Sequence, residues 1–400
     1  MRTSWDFFST KRIVFGNGAI QQLGKILASL GAKNVLLISD PGIKQAGIVD
    51  KVLAILEQSN YHTVVYDQVV PEPPVDSAME CYEFAKSHHT DAVIGLGGGS
   101  SIDMAKIVAM LIAHGGHPLD YYGGENQMPG PIAPLVAIPT TAGTGSEVTS
   151  VAVLTDVKNN LKVGISDNYL RPSVALLDPE LTIGLPPYVT ACSGIDALSH
   201  AIEAYTAKPY SNIEAEGNLL FQGSIPISDT LALQAIELIV HNLPIVVQQG
   251  TNLEARSHML LGSLLAGMAF SNAGTAAAHA LAYPIGGLTK SPHGEVTGLL
   301  LPYVMAFNTS VEKEKMLKIL EVFNVDARNM TTKEIALAVS AAVLDLLEEI
   351  GLPTRLSKIG IKETDLTEIA EKTLDIDRLI RNNPRVPTQT NLKELLHRAL

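Results

Sequence analysis

Cysteine is nearly absent from the sequence: Cys81 and Cys192 are the only two among 400 residues. That is too few for a disulfide framework and fits a reducing, cytoplasmic setting. Positive charge is in deficit as well. Lys and Arg number 29 against 41 Asp and Glu, for a formal net charge of −12. This disfavours a surface built to neutralise nucleic-acid phosphates or anionic lipid, so neither partner is expected. Long apolar runs are missing too. The longest, such as Met259 to Phe270, fall short of the roughly 20 residues that cross a bilayer, and no membrane span is expected. The opening MRTSWDFFSTKR lacks the apolar run of a secretory signal, and no segment repeats at a fixed period. What is present is a balance of 46% hydrophobic and 18% charged residues, that of a soluble globular enzyme.

A chain of 400 residues outgrows one hydrophobic core, and two domains are expected. From about residue 10 to 180, short apolar runs alternate with helical patterns. In order they are NVLLISD, a helix from Ile48, HTVVYD, a helix through Glu80, DAVIGLG, a helix from Ser101 to Ala113, PLVAIP, SVAVLTD, LKVGI and SVALLD. This βαβ rhythm predicts a largely parallel sheet. After LTIGLPPYVT, Gly and Pro punctuation gives way to Ala- and Leu-rich stretches of helical period. Between Lys333 and Ile350, for example, Ile335, Val339, Ala342 and Leu346 recur every three to four positions. The expected division is an α/β domain over 1–185 and an all-helical domain over 186–400. The segment IEAEGNLLFQGS, Ile213 to Ser224, carries turn formers at Gly217 and Gly223 and reads as a surface loop. Its FQGS ending suits an engineered protease site or a natural loop equally.

Two loops have the character of a cofactor cradle. In DAVIGLGGGSSIDMAK a buried strand runs into Gly97, Gly98, Gly99 and Ser100 and then into a helix. Glycine allows close backbone approach, and the unpaired N–H groups at a helix start attract a pyrophosphate. Ser100 or Ser101 is a candidate cap for that helix; a ligand-free tight turn would show the same glycines. No acidic residue ends the next strand about 20 positions on, so the usual dinucleotide fingerprint is not met. Instead Asp40 ends the earlier strand NVLLISD. Its carboxylate can accept hydrogen bonds from an adenosine ribose and would repel a 2′-phosphate, favouring NAD over NADP; it equally suits a turn or helix cap. The second loop, IPTTAGTGSE, gathers Thr140, Thr141, Thr144 and Ser146 after another strand. Such hydroxyls suit the polar flank of a nucleotide, as they would a plain connector.

The helical half carries a metal-ligand pattern. In SGIDALSHAIEAY, Asp196 and His200 stand four residues apart and emerge on one helix face. The stretch AAAHALAYPIGGLTKSPHGE adds His279 on a small-residue helix and His293 in a Pro-His-Gly turn. One carboxylate and three imidazoles suit a divalent first-row ion, Fe²⁺ or Zn²⁺, with a position left for a substrate oxygen, as Lewis-acid catalysis requires. Any one of the 11 histidines taken singly reads better as a surface or core residue, so the inference rests on the set.

The segments GGGSSIDMAK, IPTTAGTGSE, LLDPELT, GIDALSHAIEAY, HALAYPIGG and SPHG occur in this order along nearly the whole chain. With them the chain resembles the iron-containing, group III alcohol dehydrogenases. The resemblance implies an N-terminal dinucleotide-binding α/β domain and an all-helical metal domain, a dehydroquinate synthase-like architecture with the chemistry in a cleft between them. It implies hydride transfer between NAD(H) and a small primary alcohol or its aldehyde, and a homodimer or larger homo-oligomer. The implied metal ligands are Asp196, His200, His279 and His293, with iron the usual metal and zinc an alternative. By the same resemblance Asp40 meets the adenosine ribose, Gly97 to Ser100 the pyrophosphate, and Asp103, Thr140, Thr141, Thr144 and Ser146 other parts of the nucleotide. Lys162 and Leu181 are placed along the cofactor on that ground alone. One departure stands out: where many relatives carry a second histidine in H-x-x-x-H, this chain has Tyr283. A phenol is a poor base at neutral pH, so proton loss through cofactor ribose hydroxyls or water is expected over Tyr283. Two rival readings are a lyase of the dehydroquinate synthase type that retains its NAD and a metal- or nucleotide-binding sensor without turnover. Stoichiometric NADH release separates both from a dehydrogenase.

Overall fold

The computed structural model describes residues 2–159, 161–214 and 219–400, and the chain forms two compact units, Phe8–Gly184 and Met1–Phe7 with Leu185–Leu400. The first unit has strands β1 (Arg12–Phe15), β2 (Asn34–Ile38), β3 (His62–Tyr66), β4 (Ala92–Gly97), β5 (Leu135–Pro139), β6 (Val151–Asp156), β7 (Leu161–Ser166) and β8 (Val174–Leu177). Its helices are α1 (Leu23–Leu30), α2 (Pro41–Gln45), α3 (Ile48–Gln58), α4 (Val75–Ser87) and α5 (Gly99–His114). Six strands form a wholly parallel sheet in the order β1-β8-β5-β4-β2-β3. Side chains alternate across it: Val35 and Leu37 join the core under α1 and α3, while Leu36 and Ile38 join the one under α4 and α5. Both faces are therefore covered, which is why these strands read as unbroken apolar runs. Strands β6 and β7 stand apart as an antiparallel pair, because the connection 157–160 is too short for the crossover that parallel pairing needs.

The chain leaves β2 outward to β3 and returns past it to β4, so β2 and β4 are neighbours whose connections run in opposite directions. Such a switch point is where open parallel sheets bind ligands, at the carboxyl ends of the strands. Because every strand of the sheet points the same way, the segments after β2, β4 and β5 emerge along one edge. Asp40, Gly97–Ser100 and Thr140–Ser146 lie in those three segments.

The second unit consists of α6 (Pro187–Thr206), α7 (Pro226–Gln248), α8 (Leu253–Ala273), α9 (Ala277–Thr289), α10 (His293–Asn308), α11 (Lys313–Val322), α12 (Thr332–Glu349), α13 (Leu366–Leu374), α14 (Asp377–Asn382) and α15 (Gln389–Ala399). Helix α12 buries Ile335, Val339 and Leu346 as its period predicts, with Val343 taking the place expected for Ala342. One core gathers α9 and α10 with α13 and α15. Residues 2–7 belong to this unit and not to the α/β unit as the division at 185 supposed. Asp6 and Gln222 exchange two hydrogen bonds of 2.9 Å, which hold them there.

One expectation is corrected. The described ends of the Ile213–Ser224 segment are interior: Ile213, Leu220, Phe221, Gln222 and Ser224 are buried, while Gly217 lies outside the described residues. The Gln222 and Gly223 amides donate to the Asn272 and Ala273 carbonyls, and the Arg378 guanidinium sits 4.6 Å over the Phe221 ring. Helix α7, at 23 residues and mean hydropathy 1.6, is long and apolar enough to cross a membrane by length and composition. Asp229, Glu237 and Asn242 interrupt its apolar residues. In the fold α7 packs on α6 and α8.

Candidate metal centre and cofactor loops

Three helix segments deliver the metal pattern. Helix α6 begins at a proline, whose missing N–H costs nothing at that position, and presents Asp196, His200 and Glu203 at successive turns of one face. Helix α8 ends at Gly274, whose φ of 90° suits glycine, and the chain bends by 100° into α9, which carries His279 in its first turn. Helix α10 starts at His293 and lies against α6 through Gly294 and Gly298. A Cβ on Gly294 would stand 2.1 Å from the Cys192 carbonyl oxygen, and one on Gly298 2.6 Å from Ile195 Cγ1. Only glycine permits that approach. Tyr188 Oη adds a hydrogen bond of 2.6 Å to Glu295 Oε2, tying α6 to the first turn of α10.

Asp196, His279 and His293 each offer a ligand atom, and those atoms lie within 4.8 Å of one another; among the described residues no other such group of three forms. From Asp196 Oδ1 it is 3.8 Å to His279 Nε2 and 3.9 Å to His293 Nε2. His200 lies beside this set, its Nδ1 3.8 Å from Asp196 Oδ2 and its ring stacked between His279 at 4.5 Å and Phe270 at 4.2 Å. Asp196 and His279 are buried and His293 is exposed, so the cluster is reachable from the His293 side. Tyr283, one turn after His279, has its ring 6.0 Å from that of His293.

The partners of these groups fit a metal. Glu203 Oε2 accepts from His279 Nδ1 at 2.6 Å, which places a proton on Nδ1 and leaves Nε2 as the nitrogen a metal can take. That Nε2 is buried with no hydrogen-bond partner, an orphan nitrogen 3.8 Å from Asp196 Oδ1. Thr297 Oγ1 donates to Asp196 Oδ1 at 2.9 Å. Burial pushes the Asp196 carboxyl up, but His200, His293 and His279, with the Thr297 hydroxyl, pull it below its usual value. For His279 burial acts downward, and the Glu203 and Asp196 carboxylates outweigh it, leaving the imidazole raised. Oxygen and nitrogen donors of this kind suit Fe²⁺ or Zn²⁺. Glu203 and Thr297 escaped the sequence reading, though an acidic residue seven positions after Asp196 on a buried face was a signal for Glu203.

At the sheet edge, α5 starts at Gly99 with Gly98 as its N-cap and no side-chain cap, so neither Ser100 nor Ser101 caps it as expected. Ser101 Oγ instead donates to Asp40 Oδ2 at 3.2 Å. Asp40 Oδ1 caps α2 through the Gly42 and Ile43 amides at 2.9 and 3.1 Å. Both readings of Asp40 remain compatible, since one carboxylate caps and also faces the glycine turn. A Cβ on Gly99 would meet Thr144 at 2.7 Å, and one on Gly98 would come 3.5 Å from Thr141, so the two loops are in contact. Thr140 Oγ1 is buried without a partner. Asp103 and Ser146 turn toward each other at 2.5 Å, and Asp103 also accepts from the Val153 amide; they brace the two loops from within. Lys162 pairs with Glu72 at 2.6 Å, and Leu181 is buried in the core beside α1 and α3.

Family models match both halves: iron-containing alcohol dehydrogenase over residues 10–179 and the C-terminal model of the Fe-containing alcohol dehydrogenase family over 190–400. Long-chain-alcohol dehydrogenase 1 of Geobacillus thermodenitrificans is 37% identical over 399 residues, covering 98% of this chain and 97% of that one. A crystal structure of 1,3-propanediol oxidoreductase superposes with TM-score 0.92 at 35% identity, covering 99% of this chain and 100% of the other. Sulfoacetaldehyde reductase from Bifidobacterium kashiwanohense, solved in complex with NAD⁺, gives TM-score 0.86 at 31% identity over 100% and 99% of the two chains.

Proposed function

The chain belongs to the iron-containing alcohol dehydrogenase family, and from that premise we propose that Asp196, His200, His279 and His293 hold one divalent iron while the β2, β4 and β5 edge of the α/β unit holds NAD. The activity is oxidation of a small primary alcohol to its aldehyde with hydride passing to NAD⁺, or the reverse. When bound, the metal supplies Lewis acidity toward a substrate oxygen and the nicotinamide supplies the hydride-accepting carbon.

What the chain's residues do follows from their placement. Asp196 contributes the negative charge that makes the ligand set prefer a cation, and Glu203 keeps the His279 lone pair on Nε2. Phe270, stacked on His200, supplies an apolar wall and restrains that ring. The uncapped start of α5 offers amide N–H groups to a pyrophosphate, with the macrodipole of a 16-residue helix behind them. Asp40 disfavours a 2′-phosphate by charge, and the orphan Thr140 hydroxyl is a donor available to the nucleotide. Lys162 and Leu181, paired and packed as they are, have weaker support as cofactor contacts.

The observation that carries the reading is the convergence of Asp196, His279 and His293 with a buried, unpartnered Nε2 among them. A homo-oligomeric, cytoplasmic enzyme completes the proposal; the two buried, unpaired cysteines suit a reducing compartment. The test is a panel of alcohols and aldehydes with NAD(H) and NADP(H), using metal-stripped protein reconstituted with iron or zinc. Substrate-dependent NADH formation that needs added metal is expected. No net NADH release with any alcohol would favour the lyase or sensor reading instead. The relatives' names span long-chain alcohols, 1,3-propanediol and sulfoacetaldehyde, so the panel must vary chain length and polar substituents.

A further inference from the structure

Resting on the metal reading above, we propose that Glu203 is the positioning residue of the centre: one carboxylate on α6 fixes the proton of His279 on Nδ1 and anchors the first turn of α9, aiming Nε2 at the metal position. Glu203 is 2% exposed, on the face of α6 that also carries Asp196 and His200. Its two oxygens take three donors. Oε2 accepts from the Ala276 amide at 2.8 Å and from His279 Nδ1 at 2.6 Å, and Oε1 accepts from the Ala278 amide at 2.6 Å. No side chain of its own segment caps α9, because its N-cap is Ala276. The missing cap comes from another helix, and from the helix that also carries Asp196 and His200. Ligand position and ligand tautomer are thereby set by one group, seven residues from Asp196 on the same face. An anion at this end of α9 also meets the positive pole of the helix.

A carboxylate behind a metal-bound imidazole typically governs affinity by about 10- to 100-fold. Glu203→Gln keeps the size but loses one acceptor, and its amide nitrogen must face either a backbone N–H or His279 Nδ1. In the second case the ring is forced to carry its proton on Nε2, where the metal belongs. The test is Zn²⁺ competition against a chromophoric chelator on the stripped full chain, together with the Co²⁺ absorption spectrum. Expected are a Zn²⁺ affinity about 10- to 100-fold below wild type in E203Q and an altered Co²⁺ spectrum. A residue that merely caps α9 would lower the thermal midpoint of the stripped protein and leave both readouts unchanged; that result overturns the proposal. If E203Q does not fold, the wild type decides: in the stripped protein, at a pH high enough that the ring is neutral, ¹⁵N-histidine correlations, with the His279 signal identified by its absence in His279→Gln, must show the Nδ1–H form. An Nε2–H form overturns the proposal. Wild-type protein that takes up no Zn²⁺ overturns the metal reading and this inference with it, whereas wild-type uptake with an unimpaired E203Q overturns the inference alone.

Discussion

At Asp40 a single side chain does two separable things, and substitution can part them. Its Oδ1 caps α2 and its Oδ2 faces the glycine turn through Ser101. Asn caps a helix about as well as Asp, so Asp40→Asn removes the charge and keeps the fold. The expected outcome is a KM for NADP⁺ at least about 10-fold lower with little change in thermal midpoint, a difference of roughly 1.4 kcal/mol in discrimination. Unchanged NADP⁺ kinetics would assign Asp40 to capping alone. At Tyr283 the ring stands 6.0 Å from His293, near the cluster without a direct link to it. Tyr283→Phe is therefore expected to retain NADH and metal binding and turnover within about threefold of wild type, a small effect beside the 10²–10⁴ typical of a lost general base. Loss of hydride transfer with both cofactors still bound would make the phenol the proton acceptor.

At the scale of elements, the approach of α10 to α6 depends on Gly294 and Gly298. Gly298→Ala places a methyl against Ile195, and overpacking of this kind costs about 1–3 kcal/mol. A lowered thermal midpoint and weakened Zn²⁺ uptake are expected together, since His293 rides on the displaced helix; a midpoint and an affinity equal to wild type would show that the contact can relax. In the α/β unit, α5 and the segment after β5 share a buried polar cluster. Lys106 donates to Thr149 and the Val151 carbonyl, while Glu147 Oε1 lacks a hydrogen bond. Burial pushes Glu147 up to about 7 and Lys106 down to about 8. The folded chain then holds the Glu147 proton more tightly than the unfolded one, so this group's contribution falls as pH rises from about 4.5 to about 7. For Lys106 the unfolded chain holds more protons between about 8 and 10.5, and stability rises with pH there. Urea unfolding should show Glu147→Gln gaining on wild type between pH 4.5 and pH 7.5; an offset that does not vary with pH would contradict the assignment.

These elements also show what a sequence reveals. The strands ending at Ile38, Gly97 and Pro139 were legible because both sheet faces are buried and the runs are apolar throughout. Asp196 and His200 were legible because their spacing is a helix repeat. Glu203 shares that helix face, but its role depends on α9 arriving across the α8–α9 bend, and its partners there leave no local pattern. The same holds for Tyr188 and Glu295, 107 positions apart in the chain. Phe221 and Gln222 looked like loop residues because a glycine follows them, and only the partners of Phe221 at Arg378 and of Gln222 at Asn272 and Asp6 reveal an interior role.

For the molecule as a whole, family models cover residues 10–179 and 190–400, while among the described residues the candidate metal group lies in the second of those spans. A metal reading therefore concerns the helical unit, and a dinucleotide reading the α/β unit, and each can fail without the other. The claim on which the activity depends is that one divalent ion is shared by Asp196, His200, His279 and His293. Anomalous diffraction collected at the iron edge from anaerobically reconstituted crystals tests it most directly. A single strong peak per chain is expected, at about 2.0–2.3 Å from an Asp196 oxygen and from one nitrogen of each histidine. A peak elsewhere, or four ordered side chains with no peak among them in protein that oxidises alcohols with NAD⁺, would contradict the account.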